Sequence, residues 1–125
     1  MKLSLDYSTA KYAIHAYESG GITINTQRYT RNIVVSPDQL LDNWGPEQVG
    51  QMNEEHILQL IELTPEIILL GTGKSLQFPH PALSALALTR GIGFEVMDTG
   101  SACRTFNVLA AEDRNVVAAL MIISN

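Results

Sequence analysis

The run Ile67-Ile68-Leu69-Leu70 and the segment Gly93–Met97 bracket a stretch with helix chemistry, and this arrangement narrows the possible folds more than anything else in the chain. The first run is apolar throughout and ends at Gly71-Thr72-Gly73, which suits a strand covered on both faces rather than one with a wet side. Between the two, residues 81–90 open with Pro81 and are followed by Gly91, the asymmetry expected of a helix. Strand, helix and strand joined in this way pair in parallel through a right-handed crossover. The chain is therefore expected to be α/β.

The flanking segments extend this unit. Asn53 is a fitting N-cap, Glu54 and Glu55 follow where the helix dipole favours acid, and Ile57, Leu58, Leu60 and Ile61 form an apolar stripe ending before Thr64-Pro65. Asp98 or Thr99 caps a further helix over residues 102–111, and residues 116–123 read as a last buried strand. Upstream, residues 12–18 alternate, Gly20-Gly21 turns, residues 22–25 resume, and residues 31–36 make a third strand stopped by Ser36-Pro37, so the first third reads as a β-meander. The first eleven residues read as an edge segment or a loose end. Residues 37–52, with Pro37, Gly45, Pro46 and Gly50 around Trp44, read as an irregular loop with one short helical turn at 38–42. The expected architecture is a three-layer α/β single domain over residues 1–125, a central mixed sheet with helices plus the N-terminal meander.

Composition excludes several functions. A net charge of −5 leaves no basic surplus for neutralising phosphates, so nucleic acid is not an expected partner. The longest apolar stretch falls far short of the ~20 residues of a membrane helix, and no secretory signal opens the chain. A soluble, cytoplasmic protein is expected. The single cysteine has no partner for an internal disulfide, the three histidines lack metal-ligand spacing, and no cofactor or metal is expected. The sequence sets no oligomeric state, although an exposed meander edge would be one route to a dimer.

The string Gly71-Thr72-Gly73-Lys74-Ser75 invites a phosphate reading, since a glycine turn after a buried strand can point backbone N–H groups at an anion. A Walker A loop needs a glycine where this chain has Ile68, and the dinucleotide fingerprint needs one where it has Leu76. Three uses stay open: nucleotide binding, a nest for a small anionic metabolite with Lys74 or Arg104 supplying charge, and a structural tight turn, which is the plainest. Cys103 and Arg104 sit at a helix start, where the dipole and the guanidinium would lower a thiol pKa, yet a cysteine among Ala102, Phe106 and Leu109 also suits a core. Glu95, placed in a central strand, would pair with Arg104 or serve as an acid. Trp44 suits either a core plug or an exposed anchor for another protein. The glycine turn and the Cys103-Arg104 helix start should converge at one end of the parallel sheet, if strands 66–70 and 93–97 are parallel.

Glu66-x-x-x-x-Gly71-Thr72-Gly73, then Gly91-Ile92-Gly93-Phe94-Glu95-Val96-Met97-Asp98-Thr99, then Ala102-Cys103-Arg104-Thr105-Phe106-Asn107 run in an order that resembles the adipogenesis-associated Mth-domain family. That family also holds mitochondrial assembly factors of respiratory complex I and many bacterial proteins of unknown function. The resemblance implies a three-layer α/β domain with a mixed sheet, no established cofactor and no established catalytic residues. It also implies an accessory or assembly role through contact with another protein, whereas the absence of an Arg-rich leader suits a bacterial cytoplasm. A non-enzymatic binding protein is the first expectation. The second is an enzyme or carrier for a small anionic metabolite at Gly71-Thr72-Gly73 near Arg104.

Overall fold

The computed structural model describes residues 10–18 and 20–122. Strands β1 (Ile14–Glu18), β2 (Gly21–Ile24) and β3 (Gln27–Tyr29) form an antiparallel three-stranded sheet. The second sheet adds β4 (Ile33–Val35), β5 (Leu40–Asp42), β6 (Ile67–Gly71), β7 (Gly93–Met97) and β8 (Val116–Leu120) in the order β5-β4-β8-β6-β7. It is mixed: β6 runs parallel to both β7 and β8, and β4 is antiparallel to both β5 and β8. Helices α1 (Glu54–Ile61), α2 (Pro81–Leu88) and α3 (Thr99–Ala111) complete the described chain, with a 3-10 turn at Val49–Gln51.

The central strands are buried on both sides, as their unbroken apolar sequence requires. Ile68, Leu70, Val34, Val117 and Ala119 join Trp44, Ile57, Leu60, Leu83 and Ala87 in one core. Leu69, Ile33, Val35, Ala118 and Leu120 join Phe106, Ala102 and Cys103 of α3 and Ile14, Ile22 and Ile24 of the small sheet in the other. Alternate residues of each strand thus point to opposite cores. The outcome is three layers, with α1 and α2 on one face and α3 with the meander on the other.

Local chemistry sets the helix starts. The side chain of Asn53 accepts from the backbone N–H of His56 at 3.2 Å, and Nδ1 of His56 accepts from the backbone N–H of Asn53 at 3.0 Å. This is a capping box with histidine in the third position. Asp98 caps α3 by accepting the Ser101 N–H at 2.8 Å. His80 caps α2 through Nδ1, with Pro81 next, where a missing N–H costs nothing.

Several of the sequence expectations are corrected by the structure. The third meander strand is β3, while residues 33–35 leave the meander for the large sheet as β4. Asn32 marks that departure: its amide donates to the Pro46 carbonyl at 2.7 Å and accepts the Ile122 N–H at 2.7 Å. Residues 40–42 form edge strand β5 rather than a helical turn, because Val35↔Leu40 pairing closes a tight connection held by Ser36, whose hydroxyl accepts the Gln39 N–H at 2.9 Å. Finally, β7 is an edge strand, so Glu95 is exposed and needs no buried partner. Of the expected loose end, residues 1–9 lie outside the described residues, while Lys11 is tied by its N–H to the Pro37 carbonyl at 2.6 Å. The last strand ends at Leu120, and Ile123 lies outside the described residues.

Candidate functional site

The parallel pairing of β6 and β7 meets the condition on which the glycine turn and the start of α3 were expected to converge, and they do. What they form is a packed joint. Thr72 donates its N–H to the Met97 carbonyl at 2.9 Å, and Gly73 donates its N–H to Oγ1 of Thr99 at 2.8 Å. The Thr72 hydroxyl donates to the Ser75 carbonyl at 2.7 Å and accepts the Gln77 N–H at 3.1 Å. The donors of Thr72 and Gly73 expected to face an anion are therefore engaged inside the protein. Lys74, next in the turn, is exposed.

The two glycines have distinct reasons. A Cβ on Gly71 would lie 2.9 Å from Cα of Thr99 and 3.2 Å from Cβ of Ala102, so glycine is what lets α3 close on the end of β6. Gly73 adopts φ of +93°, a left-handed conformation that other residues rarely take. The tight structural turn is the reading that these contacts favour.

Cys103, four residues along α3 from Thr99, is 5% exposed. Burial pushes its thiol up to about 12, with Arg104 acting weakly in the opposite direction and Asp98 reinforcing the rise. Desolvation outweighs the guanidinium and the helix start, so of the two readings open for Cys103 its burial favours the core residue. Trp44 is likewise a core plug, 4% exposed, with Nε1 donating to the His56 carbonyl at 3.3 Å and its ring edge-on to that imidazole. Burial removes it as an exposed anchor.

Arg104 does reach a cavity. A space of about 260 Å³ opens between β1 and α3, lined by His15, Tyr17, Gly100, Cys103, Arg104 and Asn107 among others. Asn107 fixes β1 against α3: its Oδ1 accepts the Ile14 N–H at 2.9 Å and its Nδ2 donates to the Ile14 carbonyl at 2.6 Å. The β1–β2 register slips between Ile14 and Ala16, a bulge at His15 that re-aims the residues after it. Arg104 donates through Nη2 to Oγ of Ser101 at 3.2 Å, and Ser101 donates in turn to Asp98 at 2.9 Å. These bonds from Ser101, its backbone N–H foremost, hold the Asp98 carboxyl below its usual range. The Tyr17 phenol is raised by burial first, then by the charges of Cys103 and Asp98.

His15, Tyr17, Gly100 and Asn107 were not among the sequence candidates. The Ala-Cys-Arg-Thr-Phe-Asn string carried the only signal, since its asparagine and arginine fall on the side of α3 that meets β1. Among the described residues no group of three His, Cys, Asp or Glu side chains is placed to hold a metal ion, and no buried side-chain N or O lacks a hydrogen-bond partner. No helix among them is long and apolar enough to cross a membrane.

Comparison with known proteins supplies the family. Residues 14–121 match the family model described as "Protein of unknown function (DUF498/DUF598)". The chain is 35% identical over 121 residues to mouse NADH dehydrogenase (ubiquinone) 1 alpha subcomplex assembly factor 3, covering 95% of this chain and 64% of that protein. It thus spans about six-tenths of the length of that relative. A 13 kDa major membrane protein of Francisella tularensis is 28% identical, with 80% of this chain and 82% of that protein covered. Among solved structures, one from Xanthomonas campestris superposes with a TM-score of 0.82 at 38% identity, covering 90% of this chain and 85% of that one. A crystal structure from Bordetella parapertussis gives 0.84 at 34%, covering 90% and 96%. A solution structure from Bordetella pertussis, described as a Mth938-like domain, gives 0.79 at 27%, covering 91% and 87%. With these relatives and the fold in agreement, the chain belongs to the DUF498/DUF598 family of Mth938-like α/β proteins.

Proposed function

We propose that this protein is a non-enzymatic accessory that works by binding another protein. The observation that carries the reading is Phe78, which is 72% exposed in the connection between β6 and α2. It is held outward by its neighbours. Gln77 is tied through its N–H to Thr72, Pro79 is buried, and His80 begins α2 as its cap. Leu76, two residues earlier, is 51% exposed. An aromatic side chain presented on an anchored loop loses little conformational freedom on binding, which is the usual character of an interface hot spot. The engaged donors of the glycine turn and the buried Cys103 lend no support to a catalytic role at that joint.

The assembly-factor name of the mouse relative suits this reading, and the length that it has beyond this chain makes any complex I role here part of the proposal. Affinity purification from the native host tests it, comparing the wild-type chain with Leu76→Ser/Phe78→Ser. Both positions are exposed, so the variant should keep its fold and lose its stoichiometric partner. A partner retained at equal yield would overturn the role of this loop. The proposal includes a cytoplasmic location, and cell fractionation that put the chain in the membrane pellet would overturn that part.

A further inference from the structure

Gly100 occupies the second position of α3, where glycine is a poor helix former and alanine the best. No turn or crowding demands it. A Cβ there would meet Oδ1 of Asp98 at 3.4 Å, Nη1 of Arg104 at 3.5 Å and Cδ2 of Tyr17 at 3.5 Å, all ordinary contacts. What the methyl group would do is occupy the floor of the cavity between β1 and α3, at the point where Arg104 and Tyr17 converge. The glycine keeps that space open.

We infer that this cavity binds a small oxyanion, the carboxylate or phosphate group of a metabolite, against the Arg104 guanidinium. Its size, about 260 Å³, suits a ligand of a few heavy atoms rather than a nucleotide. A guanidinium matches the paired oxygens of either group. The Asp98 carboxylate feels the charge of Arg104, and its oxygens accept from the N–H and hydroxyl of Ser101, which keeps its charge engaged at the helix start. Asn107 is fully engaged with Ile14, so it shapes the wall and does not supply the binding donor. The site is separate from the Phe78 loop and stands whether or not that loop binds a partner.

The test is an NMR titration of the whole chain at constant ionic strength, once with inorganic phosphate and once with succinate, following the Arg104 side-chain Nε–H and the Gly100 amide. Saturable shifts with one of the two are expected, and which of them saturates identifies the group recognised. Arg104→Gln and Gly100→Ala should each weaken that binding by at least about tenfold, while Gly100→Ala keeps or raises the melting temperature. No saturation with either anion by about 50 mM, or shifts that persist unchanged in both variants, would overturn the site. Arg104 is exposed, so its variant answers the question even where Gly100→Ala disturbs the helix.

Discussion

Thr99 and Gly73 exchange two hydrogen bonds: the Gly73 N–H donates to Oγ1 of Thr99 at 2.8 Å, and the Thr99 N–H donates to the Gly73 carbonyl at 2.9 Å. The same hydroxyl donates to the Met121 carbonyl at 2.7 Å, so one buried side chain ties the end of β6, the start of α3 and the exit of β8. The family strings that contain Gly71-Thr72-Gly73 and Asp98-Thr99 meet at this joint. Its chemistry is that of a structural clasp.

Thr99→Val keeps the shape and leaves the Gly73 N–H and the Met121 carbonyl without this partner in a buried place. With each stranded group costing about 1–3 kcal/mol, urea denaturation should show a loss of about 2–6 kcal/mol. Thr99→Ser retains the hydroxyl and should lose about 1 kcal/mol for the missing methyl. Equal losses in the two variants would contradict the clasp.

Cys103 should react with a thiol reagent in the folded protein only as fast as the chain opens, and at full rate in urea. Its folded pKa of about 12 lies above the unfolded value near 9.0, so its contribution to stability is complete below pH 9 and is lost as pH rises toward 12. Denaturation between pH 8 and about 10.5 should show stability falling, with a shallower fall in Cys103→Ser. Rapid modification of the native thiol would show an accessible thiolate instead.

His56 should make the protein acid-sensitive. Burial lowers its pKa from the ordinary 6.5, against a weaker pull from Glu55, and its neutral Nδ1 accepts the Asn53 N–H. A depressed histidine stabilises above its unfolded pKa and loses that contribution as pH falls through the folded one. His56→Gln keeps an acceptor in the capping box and should flatten the loss of stability measured between pH 7.5 and pH 5.

The parts legible in the sequence were those fixed by local chemistry. The Asn53 and Asp98 caps, Pro81 at a helix start and the unbroken apolar runs of β6 and β8 each state their own structure. Strand membership was harder: Ile33-Val34-Val35 reads as a strand in any sheet, and its place beside β8 comes from long-range pairing that the Asn32–Ile122 bond accompanies. The edge position of β7, which exposes Glu95, is likewise a property of strand order. At the candidate site, Arg104 was visible as a charge beside a helix start, but the cavity that it lines depends on β1, held from far along the chain by Asn107. The glycine turn misled because glycine allows both a phosphate nest and the close approach of a helix, and the choice rests on where Thr99 lies.

The most direct test of the account is photocrosslinking in the native host, with a photoreactive amino acid placed at Phe78 and, as a control, at Glu95 on the exposed edge of β7. One discrete crosslinked protein is expected from position 78 and none from position 95. Crosslinking from neither position, or equally from both, would contradict a partner held at the Phe78 loop.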